Sequence, residues 1–193
     1  LQWHIHSETH GKGAASAAIA MPVVNFVLIP EMTFDLYGEN GFLEALKKRL
    51  ELKKHAVIVV AEGAGQHLFD TEQKVTDASG NIQHKDIGLL LQEKIKEYCK
   101  SASIKTTIKY IDPSYIIRST SANANDSLFC NRLAYHAVHG AMAGKTRFVV
   151  ARLNNRFVYL PISKVSNKRK KIDLAGELWF AALQSTGQPF SMQ

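Results

Sequence analysis

Cysteine is scarce: two residues in a chain of 193, Cys99 and Cys130. They fall on separate predicted helices and have neither the spacing of a zinc site nor that of a redox pair. A disulfide scaffold is excluded, and a reducing, cytosolic-type compartment fits, with a plastid also open. A long apolar run is missing too. The longest, about residues 14–29, is interrupted by Ser16, Pro22 and Asn25, whereas a membrane-spanning helix needs about 20 mostly apolar residues. It does not read as a signal peptide, because His4, His6, Glu8, His10 and Lys12 stand before it in place of a basic segment. Acidic residues are in deficit, 17 against 24 Lys and Arg, for a net charge of +7. That balance favours acidic partners and identifies none. What remains is an ordinary globular composition, 46% hydrophobic and 21% charged, in a chain long enough to bury a core.

The apolar pattern predicts alternating strands and helices. Residues 23–29 (VVNFVLI) and 56–61 (AVIVVA) are short β-branched runs, read as strands covered on both faces. Residues 41–53 and 86–99 carry apolar positions at helical spacing. A third strand is expected at 106–111 and a third helix at 126–143, with Phe129, Leu133, Ala137, Val138 and Ala141 inward. Asn154-Asn155 joins two β-rich runs into a hairpin, and a last helix is expected around 174–183. The polar stretch 70–84 reads as a loop or small hairpin. Residues 1–16 follow no clear period and are expected to be divergent and disordered. The order of elements indicates a layered α/β fold.

Two segments stand out, Ala61-Glu62-Gly63-Ala64-Gly65-Gln66 and Tyr110-Ile111-Asp112-Pro113-Ser114-Tyr115-Ile116-Ile117-Arg118. Each follows a predicted strand, and open α/β sheets bind ligands at the carboxyl ends of their strands. Glu62 can accept hydrogen bonds from hydroxyl groups, and Arg118 can grip a phosphate through two parallel N–H groups. A phosphorylated polyhydroxy compound suits that pair. Alone, either residue would be read as an ordinary polar side chain. The glycines beside Glu62, and Tyr115 with Pro113 ahead of Arg118, tilt both toward a ligand. His4, His6 and His10 lack a fourth ligand or a scaffold, so no metal site is assigned to them. His136 and His139 are read as helix-packing residues. The run Lys168–Lys171 has no aromatic interleaving, so a solvated loop is favoured over a nucleic-acid surface.

VLIPE (27–31), AEGAGQ (61–66), DIGLLL (86–91), YIDPSYIIR (110–118) and AVHGAMAG (137–144) resemble, in order and spacing, motifs of the 6-phosphofructokinases. The likeness is to the plant-type ATP-dependent group of the pyrophosphate-like branch, and it runs from about residue 17 to the end. It implies a three-layer, phosphofructokinase-like Rossmannoid sheet, incomplete because the upstream nucleotide-binding strands are missing. It also implies transfer of the γ-phosphoryl of Mg·ATP to the 1-hydroxyl of fructose 6-phosphate, in homo-oligomers. By resemblance Glu62 hydrogen-bonds the sugar. Tyr115 and Arg118 hold the 6-phosphate, with Ile116 and Ile117 shaping the turn between them. Lys109 stands where related bacterial enzymes carry a phosphate-binding arginine.

The departures are as informative. The family's G-G-D-G-T phosphate loop and its T-I-D motif, whose aspartate is the base, are both absent, and no two glycines are adjacent anywhere. The family's M-G-R motif falls in register on His6-Ser7-Glu8, with an acid where the arginine belongs. The expectation is therefore a sugar-phosphate half over residues 17–193, with no catalytic residue of its own and neither ATP nor Mg2+ bound by this chain alone. The rival expectation is a non-catalytic, truncated form that associates with full-length subunits. Membrane and nucleic-acid partners are not expected.

Overall fold

Strand β3 contains no polar residue and is covered on both faces, and the first unit of the fold is arranged around it. In chain order the elements are β1 (Gln2–His6), α1 (Gly11–Ala20), β2 (Phe26–Leu28), α2 (Phe42–Lys53), β3 (Val57–Ala61), α3 (Ile87–Ser101), α4 (Ala124–Met142), β4 (Phe148–Leu153), β5 (Arg156–Pro161), the single turn α5 (Ile162–Val165) and α6 (Glu177–Thr186). This computed structural model describes residues 2–6 by their backbone, and residues 11–69, 85–113, 116, 119–165 and 171–193 in full. The chain divides into two compact units, residues 1–117 with 171–193, and residues 118–170.

In the first unit the sheet order is β1-β3-β2, all parallel. Alternation along the strands sends side chains to two separate cores. Phe26, Leu28, Ile58 and Val60 meet Phe42, Leu46 and Leu50 of α2 and Ile87, Leu91 and Ile95 of α3. On the opposite face Val27, Ile29, Val59 and Ala61 meet Ala14, Ala15 and Ala18 of α1 and Trp179, Ala182 and Leu183 of α6. Helices therefore cover both faces, as a parallel sheet requires. The alanine face lets α1 lie close to the sheet. Gly11 is needed at its start, because a Cβ there would lie 2.4 Å from Glu31 Oε2 and 2.6 Å from Ile29 Cβ. Glu31 fastens this end, accepting from the Gly11 N–H at 3.0 and 3.2 Å and from the Ile172 N–H at 3.1 Å.

Edge strand β2 is closed by a side chain from far along the chain. The Gln188 amide accepts from the buried Val27 N–H at 2.6 Å and donates to the Val27 C=O at 3.3 Å, taking the place of a neighbouring strand. The residues beyond it continue the seal: the Asp35 N–H donates to the Met192 C=O, and Met192 is fully buried.

Two expectations change in the first unit. Within residues 1–16, expected to be disordered, Gln2–His6 pair with β3 and Gly11 opens α1; residues 1 and 7–10 lie outside the described residues. The helix is easy to miss because it buries only glycine and alanine, which give a weak amphipathic signal. The strand expected at 106–111 is not formed; the stretch has one bridge position, at Lys109. Its alternation is real, because Ile108 and Tyr110 pack on the first core while Thr107 and Lys109 are exposed. Among the described residues it has no ladder that would make it a strand. The segment 70–84 and most of the 168–171 run lie outside the described residues.

In the second unit α4 packs on the antiparallel hairpin β4–β5. Asn123 caps the helix, its Oδ1 accepting from the Asp126 N–H at 2.9 Å. Asn154 and Asn155 take φ of +47° and +64°, the left-handed pair that a tight hairpin turn requires. The inward positions are Phe129, Leu133, His136 and Gly140, while Ala137, Val138 and Ala141 are exposed, contrary to expectation. The hairpin's aromatic rings decide this. His136 stacks on Phe157 at 4.8 Å, and a Cβ on Gly140 would lie 2.7 Å from Phe148 Cζ, so only the glycine side admits the rings. His136 is thus a packing residue, as expected, whereas His139 is exposed.

Two measurements follow from these contacts. Gln188→Ala leaves the buried Val27 N–H and C=O unpaired, a loss of about 1–3 kcal/mol. The thermal midpoint should fall by about 2–4 °C for each kcal/mol in a chain of this size; an unchanged midpoint would mean that water replaces the amide. The Tyr98 hydroxyl donates to Glu44 Oε2 at 2.7 Å, bridging α2 and α3. That bond holds the Glu44 carboxyl below its ordinary value of 4.5, while burial, followed by Glu44, pushes the Tyr98 phenol up to about 12. A depressed carboxyl contributes stability above its unfolded value and loses it as pH falls through the folded one. Tyr98→Phe should therefore lower the midpoint near pH 7 and matter less near pH 3. Equal differences at both pH values would count against a charge-dependent bond.

Candidate functional site

β1 and β3 run in parallel with His6 opposite Ala61, so both strands deliver the chain to the same end of the sheet. Glu62 is the first residue past β3 and is half-buried. The turn that carries it is tight. The Ala64 N–H donates to the Ala61 C=O at 2.9 Å, and Gly65 takes φ +61°. A Cβ on Gly65 would lie 2.7 Å from Ile87 Cδ1 and 3.1 Å from Phe34 Cζ, so both the backbone angle and the space demand glycine.

Gln66 closes the turn. Its Nε2 donates to the Glu62 C=O and the Lys85 C=O, each at 3.1 Å, and its Oε1 accepts from the Lys85 N–H at 3.1 Å. The next residue, Asp86, caps α3: Oδ1 accepts from the Gly88 and Leu89 N–H groups at 2.9 and 3.1 Å. The Tyr110 hydroxyl donates to the same carboxylate, 3.2 Å from Oδ1 and 3.1 Å from Oδ2. Burial, followed by the Asp86 charge, pushes the Tyr110 phenol well above its ordinary range. The Lys85 ammonium lies 5.5 Å from the centre of the Phe69 ring.

Of the residues singled out in the sequence, Glu62 stands at the strand end as expected. Lys109 is exposed, and Ile116 is exposed as well. Tyr115, Ile117 and Arg118 lie outside the described residues, as do Ser7 and Glu8 of the 6–8 register. The described contacts join the Glu62 turn to Tyr110, the first residue of the second motif. Gln66, Asp86 and Tyr110 lie within motifs read from the sequence, but no role of their own was assigned to them. The signal for Asp86 was present, an acid immediately before an apolar helical run. Among the described residues no group of three or more His, Cys, Asp and Glu could hold a metal ion. In the same residues no helix is long and apolar enough to cross a membrane.

Parallel strands layered between helices, with a polar turn opening at their carboxyl end, define a Rossmann-like α/β fold. The solved structures it resembles narrow the fold to that of the phosphofructokinases. A pyrophosphate-dependent phosphofructokinase from Marinobacter aquaeolei matches with TM-score 0.64 and 19% identity, over 96% of this chain and 47% of that one. The phosphofructokinase from Saccharomyces cerevisiae matches with TM-score 0.57 and 18% identity, over 96% and 22%. Residues 8–141 match the Phosphofructokinase family, and the chain belongs to it. The ATP-dependent 6-phosphofructokinase of Borreliella burgdorferi is 50% identical over 186 residues, 93% of this chain and 42% of that protein. ATP-dependent 6-phosphofructokinase 5, chloroplastic, from Arabidopsis thaliana is 42% identical over 196 residues, 95% and 36%. The chain thus spans well under half the length of these curated relatives.

The Gly65 geometry is open to test. Gly65→Ala combines a left-handed backbone, costing about 1–2 kcal/mol for an L side chain, with the contact on Ile87. The expected outcome is a thermal midpoint lower by several degrees with the helical signal retained. A parent-like midpoint would mean that the turn relaxes freely.

Proposed function

We propose that this chain is the sugar-phosphate-binding portion of an ATP-dependent 6-phosphofructokinase, the glycolytic enzyme that makes fructose 1,6-bisphosphate from fructose 6-phosphate. The observation that carries this is the Glu62 turn, held at the carboxyl end of the central parallel strand and tied to the root of the Tyr110–Arg118 segment. Glu62 accepts hydrogen bonds from the sugar hydroxyls. Tyr115 and Arg118 hold the 6-phosphate, Arg118 through paired N–H groups, and Ile116 and Ile117 shape the turn between them. Lys109 adds positive charge on the approach to the phosphate.

ATP and Mg2+ serve the reaction of a complete enzyme, in which positioning and charge neutralisation carry most of the catalysis. The residues of this chain do not fit either group. It has no adjacent glycines to cradle phosphates, and its described residues hold no cluster of metal ligands. No step of phosphoryl transfer is therefore assigned to it, and purified chain should transfer no phosphate from ATP. A second reading is association with full-length subunits without catalysis. It is favoured by the exposed apolar stripe of Leu128, Tyr135, Val138 and Met142 along α4.

Thermal unfolding with and without millimolar fructose 6-phosphate tests the first reading, because a ligand that binds only the folded state raises the midpoint. Arg118→Ala should abolish the rise. Glu62→Gln should weaken binding by roughly tenfold or more, the loss of a charged hydrogen bond. No response from a cooperatively melting parent would sink this reading, and co-elution with a full-length family member would then favour the second.

A further inference from the structure

We propose that Gln66, Asp86 and Tyr110 form a strap of positioning residues that fixes the Glu62 turn relative to Tyr110, where the second motif begins. The strap rests on the sugar-phosphate reading above for its purpose, but it stands on its own contacts for its existence. No member of it is asked to touch the ligand.

The strap joins parts of the chain that are far apart in sequence. Gln66 and Lys85 are 19 residues apart, and Asp86 and Tyr110 are 24 apart. At one end, the Gln66 amide holds the peptide carbonyl of Glu62 itself, which restricts rotation of the backbone that aims the Glu62 carboxylate. The same amide matches both backbone groups of Lys85, so the residue before Asp86 is held from two sides. In the middle, Asp86 is rooted in α3, whose Ile87, Leu91 and Ile95 are buried in the first core. At the other end, Tyr110 opens the second motif and reaches both oxygens of that carboxylate.

A rigid post between two short links suits a site whose sugar contact and phosphate contact come from different segments. A ligand that spans both needs their separation set before it arrives, because ordering them on binding would cost affinity. Tyr110 also packs on the first core through its ring. Removing its hydroxyl alone therefore cuts the strap while leaving the packing in place.

The test uses the full 193-residue chain and four variants: Tyr110→Phe, Gln66→Met, the two combined, and Asp86→Asn. Two quantities are read for each, amide hydrogen exchange at residues 63–66 without ligand and fructose 6-phosphate affinity by calorimetry. Tyr110→Phe and Gln66→Met should each speed exchange at 63–66 and weaken affinity by about 5-fold, the equivalent of one ordinary hydrogen bond. The combined variant should be no worse than the poorer single one, because both cut the same strap. Asp86→Asn keeps an acceptor for the phenol and for the helix N–H groups, and should stay close to the parent. Unchanged exchange in Tyr110→Phe overturns the strap. Faster exchange with unchanged affinity overturns its service to the ligand, and independent, additive losses overturn its action as one unit. A parent that binds no fructose 6-phosphate overturns the sugar-phosphate reading instead; exchange at 63–66 then still decides whether the strap exists.

Discussion

Burial of β3 on both faces is the constraint on which the first unit depends. The strand has a parallel neighbour on each side and helices above and below. A polar side chain anywhere along it would enter one of the two cores without water. Polar chemistry is thereby excluded from the strand and can begin only where the strand stops, at Glu62. Parallel pairing adds a second consequence. Because β1 ends opposite Ala61, both strands end on one side of the sheet. The small residues of α1 belong to the same arrangement: alanines bring the helix near the sheet, and a glycine lets its first turn meet Glu31.

Much of this was legible in the sequence where one residue pattern determines one element. The apolar run of β3, the spacing along α3 and the Asn154-Asn155 turn each identified their element directly, and Glu62 fell where the pattern placed it. The rest was hidden for physical reasons. Helix α1 buries alanines, so its inward face differs little from its outward one in polarity. The 106–111 stretch has the alternation of a strand, but alternation reports one covered face and says nothing of a hydrogen-bonded partner. The inward face of α4 is set by the bulk of Phe148, Phe157 and Tyr159 on another element, which no pattern within the helix contains.

The candidate site shows the same division. A carboxylate after a buried strand is visible locally, because the strand's end fixes it. A positioning contact such as Tyr110 to Asp86 joins two motifs that carry no mark of each other in the sequence. Asp86 was identifiable as a helix cap from its place before an apolar run. Its second role, as acceptor for the phenol, required the fold. One carboxylate thus serves local and long-range structure together: the bonds that start α3 also hold in place the oxygens that receive Tyr110.

Four of the polar contacts show a donor and acceptor balance. Where one backbone position presents both its N–H and its C=O, the side chain opposite is a glutamine: Gln66 facing Lys85, and Gln188 facing Val27. Where two N–H groups converge in these four, it is a carboxylate: Glu31 facing Gly11 and Ile172, and Asp86 facing Gly88 and Leu89. A primary amide offers one donor group and one acceptor, as a peptide does, whereas an ionised carboxylate only accepts. Glutamate at position 188 would set a negative oxygen against the Val27 carbonyl at a site removed from water, where such a mismatch is expensive. Glutamine at position 31 would turn an N–H group toward backbone donors. These choices therefore follow from which backbone groups the parallel sheet and its turns leave unpaired, and the same requirement that seals the edge of β2 also closes the Glu62 turn.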